Sequence, residues 1–274
     1  VLNRFSAGAE RNAFLTEKPM NGSLGRVTYS TNYMTGPEMC NVWTNEKTIY
    51  PTATVYALAW NFPSNEVTVT DFSSYMISTG YCERAGLNRP TWVTNSGGAV
   101  QFFGTNVLHA NNVGNLVNTN RGAISFWYRT AESGAANPTL FSFFNETDGD
   151  SLSVYLDQSP VCVRSYAVYG STSIGNKVSI SNNVWTYVAM SWTHTNMTLS
   201  ASDGTGKLAT DRVALSMAGA TKPSRFVLGA YEDGASTSNY STALFDLVQV
   251  YPNPVSVSTF SNDWVSQKAT YGAP

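Results

Sequence analysis

Acidic residues and histidines are the side chains of this chain that could catalyse a reaction, but they do not form a recognisable catalytic pair. Cleavage of a glycosidic bond needs two carboxyl groups at a set separation, and neither Glu66 nor Glu232 belongs to a run of acidic residues that alternate on one strand face. The two histidines, His109 and His194, lie in no familiar catalytic motif. The sequence therefore predicts no catalytic activity. A polysaccharide hydrolase or lyase that depends on His109, Glu66 or Glu232 is the alternative.

One acidic segment has the composition of a calcium loop. Residues 145–150 read Asn-Glu-Thr-Asp-Gly-Asp, and Ca²⁺ prefers such oxygen ligands. Asp148 and Asp150 are the candidate ligands, and Asp246 is a third, more isolated one. An Asp-Gly-Asp sequence is also a good turn between strands, and a strand-borne Asp246 suits a hydrogen-bond anchor. We therefore expect at most one structural Ca²⁺ and no other cofactor.

Four Asn-x-Ser/Thr sequons indicate passage through a secretory compartment. Each falls in a segment with turn-forming residues, where a glycan could be accommodated. The sequons are at Asn21, Asn145, Asn196 and Asn239. They predict a secreted or cell-surface glycoprotein.

The chain has three cysteines, which is an odd number. In an oxidising compartment, Cys40 and Cys82 are the first pair to test because both lie in the same part of the chain. Cys162 would then be free or would bond to another chain. The alternative is three reduced, buried thiols that act as small apolar side chains.

Composition excludes two further classes of protein. The net charge is −2 and charged residues are only 12% of the chain, whereas a nucleic-acid-binding protein needs clustered Lys and Arg against phosphate. No apolar run approaches the 18 residues of a membrane span. A hydrophobic content of 42% still supplies a sizeable core.

Short β-rich runs separated by Gly, Ser, Thr, Asn and Asp fill most of the chain, which predicts an all-β sandwich. The regular spacing starts near residue 91. We therefore divide the chain into an N-terminal arm with additional strands over 1–90, packed on or continuous with the sandwich, and a main domain over 91–274. The tail at 254–267 has the apolar spacing of a short helix, with Ser256 or Ser258 as its cap.

Five motifs occur in order in the second part of the chain. They lie at 98–105, 124–130, 185–192, 203–204 and 228–251. Together they resemble the concanavalin A-like, or laminin-G-like, jelly-roll family over residues about 91–265. Trp127, Trp185 and Trp192 alternate with polar neighbours inside these motifs, so we expect them to be buried rather than to line a ligand site.

The resemblance implies a recognition or adhesion module that binds a glycan or an extracellular protein. Lectins of this fold use exposed aromatic residues with Asn and Asp in rim loops, and the loop candidates here are Trp92, Asn95, Tyr231 and Asp233. A glycan on Asn239 would prevent its own loop from binding sugar. The alternative is a structural subunit of an extracellular filament, fibre or coat, in which copies of the chain assemble through the N-terminal region.

Overall fold

The computed structural model of this protein describes chiefly the second part of the chain. The described residues are 9–11, 16–19, 58–60, 68–69, 80–84, 91–93, 99–111, 113–115, 117–130, 137–170, 172–216, 222–232 and 237–273. The chain divides into two compact units, Val1–Thr54 and Val55–Pro274. In the first unit, β1 (Ala9–Arg11) and β2 (Thr16–Pro19) form an antiparallel hairpin. The predicted start of the main domain, residue 91, lies within the second unit.

The second unit is built almost entirely from short strands. In chain order they are β3 (Leu58–Trp60), β4 (Thr68–Val69), β5 (Gly80–Arg84), β6 (Thr91–Val93), β7 (Ala99–Gln101), β8 (Asn106–Asn111), β9 (Gly122–Thr130), β10 (Thr139–Phe144), β11 (Ser151–Gln158), β12 (Val161–Tyr169), β13 (Thr172–Ser179), β14 (Thr186–Trp192), β15 (Asn196–Ser202), β16 (Leu208–Ala214), β17 (Arg225–Leu228), β18 (Tyr231–Glu232), β19 (Thr237–Ser238) and β20 (Ala243–Tyr251). A 3₁₀ turn at Val113–Asn115 and a helix, α1 (Val257–Gln267), complete the described elements.

Most of these strands form two antiparallel sheets. Sheet I has the order β13-β12-β11-β10-β17-β8-β5-β4. Sheet II has the order β16-β15-β14-β9-β20-β7-β6, and β3 pairs with β20. A large apolar cluster contains inward-facing residues of both sheets, so the predicted all-β sandwich is confirmed. Strands β4 and β5 belong to sheet I, and β3 belongs to sheet II. All three precede residue 91 and are the extra N-terminal strands that the sequence predicted.

Alternation along β11 shows how the sequence forms sheet I. Leu152, Val154 and Leu156 are buried in the main core. Because side chains of a strand alternate between its faces, Ser153 and Tyr155 point away from that core. The outer face of sheet I is therefore polar and aromatic at this strand.

Sheet II is buried on both faces at its centre. In β9, Phe126 packs in the main core while its neighbour Trp127 belongs to a second apolar cluster on the opposite face. Every residue of β14 is buried. This double burial explains why these strands have no polar face, as expected for strands covered on both sides. The predicted burial of the tryptophans is confirmed, since Trp127, Trp185 and Trp192 are 0%, 6% and 0% exposed.

Helix α1 covers the outer face of sheet II. Ser256 is its N-cap, and the Ser256 hydroxyl accepts a hydrogen bond from the Thr259 backbone N–H at 3.1 Å. Phe260 and Trp264 are the buried residues of the helix and join the second cluster. The predicted C-terminal helix and its Ser256 cap are therefore confirmed. No helix among the described residues is both long enough and apolar enough to cross a membrane.

Candidate ligand-binding cleft

A cleft of about 350 Å³ lies on the outer face of sheet I, within the usual range of about 300–1,000 Å³ for small-ligand sites. Three tyrosines, two asparagines and two hydroxyl residues line it. They are Asn137, Thr139, Ser153, Tyr155, Tyr166, Tyr231 and Asn239. The cleft thus combines aromatic rings with neutral hydrogen-bonding groups.

Strands β11 and β12 position two of the tyrosines. Ser153 lies directly opposite Tyr166 in the antiparallel register, and Tyr155 is two residues further along β11 on the same face. Tyr155 and Tyr166 are therefore diagonal neighbours, a separation that aromatic side chains can bridge. Thr139 of β10 lies opposite Tyr155 and completes this side of the cleft. Both rings are held by rigid strands rather than by loops.

The third tyrosine comes from the β18–β19 hairpin. Backbone hydrogen bonds join this segment to β10: Gly229 N–H donates to the Leu140 carbonyl at 2.8 Å, and Thr139 N–H donates to the Asn239 carbonyl at 2.8 Å. Gly229 has φ +85°, and a Cβ there would lie 2.6 Å from a ring carbon of Phe102. A glycine is therefore required where the chain enters the hairpin that carries Tyr231.

An ion-pair network holds the same hairpin. Arg225 of β17 contacts Glu232, the residue after Tyr231, and also donates to Glu146 Oε1 at 3.0 Å. Glu232 is only 6% exposed. A buried carboxylate is stable only when it is paired and hydrogen-bonded. Glu232 is not among the described residues that line the cleft. Its ion pair with Arg225 instead stabilises the hairpin that carries Tyr231.

The pKa values of two groups on this face are shifted from their ordinary values. Burial raises the pKa of the Tyr155 hydroxyl, and the nearby Arg164 guanidinium opposes part of that shift. A hydrogen bond from the Ser159 backbone N–H lowers the pKa of Asp157, and Arg164 lowers it further. Tyr155 is therefore neutral and Asp157 is ionised at neutral pH.

The described lining of the cleft offers groups for stacking and for hydrogen bonding. Tyrosine rings stack on the apolar faces of a planar or ring-shaped ligand, and the asparagine amides both donate and accept hydrogen bonds. Among the residues that the structure describes, those that line the cleft include no Asp, Glu or His. Glycosidic cleavage by the usual mechanism requires two carboxyl groups, and the described lining does not supply them.

Of the three residues named as catalytic alternatives, the two that the structure describes, His109 and Glu232, do not line the cleft. His109 is 4% exposed in β8, where it is opposite Tyr81 of β5 and Val227 of β17. Glu232 is paired with Arg225. Glu66 lies outside the described residues.

Of the four predicted ligand-loop residues, the structure places Tyr231 in the cleft. Trp92 lies in β6, opposite Val100 of β7 in sheet II. Asn95 and Asp233 lie outside the described residues. The sequence-based prediction missed Tyr155 and Tyr166 because it considered rim loops and not the sheet face.

Of the acidic residues predicted to bind calcium, Asp148 and Asp150 share one loop, whereas Asp246 lies in sheet II. Within the described part of the chain, no group of three or more His, Cys, Asp or Glu side chains could hold a metal ion. Asp148 accepts a hydrogen bond from the Asp150 backbone N–H, and Asp150 accepts one from the Gly170 N–H at 3.2 Å. Asp246 is buried in sheet II and accepts from Leu247 N–H and Tyr271 Oη–H. These carboxylates therefore stabilise turns and packing.

The cysteines are only partly within the described residues. Cys162 is a buried free thiol in β12. Cys82 lies in β5, where its backbone is opposite Leu108 of β8. Cys40 lies outside the described residues, so the Cys40–Cys82 disulfide stays a prediction.

The three sequons that the structure describes differ in their surroundings. Asn145 is 5% exposed, and its amide nitrogen donates to the Lys222 carbonyl at 2.8 Å. Asn196 is half-buried at the start of β15, and Asn239 is exposed at the cleft. Asn21 lies outside the described residues.

We expect a glycan at Asn196, but not at Asn145, in chains that fold in a secretory compartment. A glycan is joined to the amide nitrogen, and at Asn145 that atom is buried in a hydrogen bond that the folded state needs. Peptide mapping by mass spectrometry of secreted protein measures the occupancy of each site. Full occupancy of Asn145 in correctly folded protein would contradict the expectation.

Comparison with known proteins defines the class to which this architecture belongs. A laminin-G family model, described as the concanavalin A-like lectin/glucanases superfamily, matches residues 102–259. The match covers more than half of the chain and includes the strands of the cleft and of the main core. The chain therefore belongs to the concanavalin A-like lectin/glucanases superfamily, as its motifs predicted. No match was found among curated protein sequences.

Solved structures share the fold at low sequence identity. The binding domain of botulinum neurotoxin DC, in complex with rat synaptotagmin II, has a TM-score of 0.58 and 12% identity, with coverage of 77% of this chain and 52% of that one. Domain 4 of an extracellular GH43 arabinanase from Geobacillus stearothermophilus, in complex with arabinotriose, has a TM-score of 0.53 and 14% identity, with coverage of 77% and 98%. The alignment thus spans about half of the neurotoxin binding domain and nearly all of the arabinanase domain.

Proposed function

We propose that this protein is a non-catalytic recognition module that binds a glycan in the cleft formed by Tyr155, Tyr166 and Tyr231. The observation that carries the proposal is the cleft itself, where three tyrosines surround neutral amide and hydroxyl groups on a rigid sheet. A sugar ring offers apolar C–H faces for the aromatic rings and hydroxyl groups for Asn137 and Asn239. This combination matches the needs of a carbohydrate better than those of a fully apolar ligand.

Two further considerations support a glycan. The arabinanase domain that shares the fold was solved with arabinotriose, and one botulinum neurotoxin type C structure with the same fold concerns interaction with gangliosides. The sequons and low charge of this chain suit an extracellular location, where glycans and glycoproteins are available as partners. An extracellular protein that carries a glycan is a natural ligand under this proposal.

The direct test is a glycan array probed with labelled protein that lacks a glycan at Asn239. Such protein is obtained by expression in bacteria, which avoids a glycan over the cleft. We expect binding to a restricted class of oligosaccharides and no release of reducing ends from the bound sugars. A blank array across neutral and acidic glycans would contradict the proposal, and turnover of a bound polysaccharide would contradict its non-catalytic part.

A further inference from the structure

A charged row continues from the cleft onto the neighbouring strands. Arg164 of β12 is directly opposite Tyr155 of β11, and Lys177 of β13 is directly opposite Arg164. Cross-strand partners share a face of the sheet, and adjacent strands are about 4.8 Å apart. Tyr155, Arg164 and Lys177 therefore form one continuous row on the outer face of sheet I, starting at the cleft.

Two carboxylates, those of Asp157 and Asp211, lie close to the cations of this row. Arg164 and Lys177 are like charges in directly opposed positions, an arrangement that destabilises a sheet. Asp157 offsets one of them, because its Oδ2 lies 2.8 Å from Arg164 Nε. Asp211 Oδ2 accepts a hydrogen bond from the Lys177 backbone N–H at 3.1 Å, so a second carboxylate lies beside the row.

The cations of the row can reach a ligand. The Arg164 side chain is 34% exposed and Lys177 is exposed. Asp157 contacts the guanidinium at Nε, and a guanidinium carries five N–H donors in all. An anionic group beside Tyr155 would therefore meet donors from Arg164 and the ammonium of Lys177.

We propose that the cleft prefers acidic glycans, whose carboxylate or sulfate group pairs with Arg164 and Lys177 while a neighbouring sugar ring contacts the tyrosines. This inference rests on the proposed glycan-binding function and names its ligand class. Arginine and lysine form their strongest hydrogen bonds with such anionic oxygens.

Matched pairs of sugars that differ only in charge test this preference. Polygalacturonate against its methyl ester tests the carboxylate, and sulfated lactose against lactose tests the sulfate. Isothermal titration or NMR titration with bacterially expressed protein gives the affinities. We expect the acidic member of at least one pair to bind about tenfold more tightly, with a smaller preference as salt rises from about 50 to about 500 mM.

Substitutions of Arg164 and Lys177 test whether these two residues cause the preference for acidic sugars. Lys177→Gln and Arg164→Gln should each remove most of the charge preference while affinity for the neutral sugar stays within about twofold, since only an ionic contact is lost. Lys177→Arg should retain the preference. Lys207→Gln is the matched control, because Lys207 is exposed in the β15–β16 turn of sheet II and the same charge is removed there.

The possible results separate the two proposals. Equal affinity for both members of every pair, or a preference that survives Lys177→Gln and Arg164→Gln, overturns the acidic-glycan inference and leaves glycan binding intact. Absence of binding to every sugar, acidic or neutral, overturns the proposed function and this inference together.

Discussion

Replacing Tyr166 by alanine should weaken glycan binding by about 2 kcal/mol, or about 30-fold, because a central aromatic contact of a binding site carries a large share of its energy. The Tyr166 ring is half-buried on the outer face of β12, between Ser153 of β11 and Gly175 of β13. Its removal should cost no more than about 1 kcal/mol of stability, as is usual for a site outside the core. The affinity for an array-positive oligosaccharide, measured by isothermal titration, checks the expectation.

Two controls show whether the ring itself is responsible. Tyr166→Phe keeps the ring and removes the hydroxyl, so it should retain most of the affinity if stacking dominates. Val168→Ala truncates a side chain two residues further along the same face of β12 and should leave affinity unchanged. If Tyr166→Ala binds as tightly as the wild type, the ligand does not occupy this cleft.

The sequence contains the information needed to find Tyr155 and Tyr166, but in the strands and not in the loops. In β11 the apolar residues Leu152, Val154 and Leu156 mark the inward face of the strand. Tyr155 therefore falls on the outward face, where the alternation predicts polar residues. Tyr166 lies at a half-buried position between buried neighbours, on the corresponding outward face of β12. An aromatic residue on the solvent-facing side of an alternating strand is therefore the pattern that predicts a ligand-binding surface.

Other features depend on contacts between residues that are distant in the sequence. The spacing of residues cannot show that the Asn145 amide donates to the Lys222 carbonyl 77 positions away, or that Arg225 joins Glu146 to Glu232. In the sequence, the Asn145 sequon and the oxygen-rich loop at 145–150 are visible only as local motifs. Their atoms take part in packing because tertiary hydrogen bonds outweigh the local pattern.

The fold, by contrast, was predictable because its determinants are local and repeated. Ordered apolar runs and turns at short intervals defined the sandwich, and Ser256 with the spacing of Phe260 and Trp264 defined helix α1. The sequence did not reveal what that helix covers. Trp127 and Phe126 are adjacent and both 0% exposed, which is possible only because a second layer packs on the outer face of sheet II.

That second layer ends in a buried polar contact between Tyr271 and Asp246. The Tyr271 hydroxyl donates to Asp246 Oδ2 at 2.7 Å, and the Tyr271 ring stacks on Trp127 with centroids 4.2 Å apart. Asp246 Oδ1 accepts from the Leu247 N–H at 2.7 Å, at a bulge where Leu247 has φ +47°. The Asp246 carboxylate therefore stabilises both the strained backbone of β20 at Leu247 and the packing of the C-terminal segment at Tyr271.

We expect Tyr271→Phe to reduce the free energy of unfolding by about 2 kcal/mol at neutral pH, because a hydrogen bond to a buried charged group is lost while the stacked ring remains. Urea denaturation followed by tryptophan fluorescence measures the change. Tyr169→Phe removes a hydroxyl from a half-buried tyrosine of sheet I and should change stability by less than about 0.5 kcal/mol.

The difference between wild type and Tyr271→Phe should also depend on pH. Burial and the Asp246 carboxylate raise the pKa of Tyr271 far above its ordinary value of 10.0. Below about pH 10 the hydroxyl is protonated in the folded and unfolded states alike, so its full contribution is present. Above pH 10 the hydroxyl of the unfolded chain loses its proton while that of the folded chain keeps it. The free energy of unfolding of the wild type therefore falls by up to about 1.4 kcal/mol per pH unit more than that of the phenylalanine variant. A stability gap that stays constant from pH 8 to about pH 11 would show that Tyr271 titrates as an ordinary exposed tyrosine.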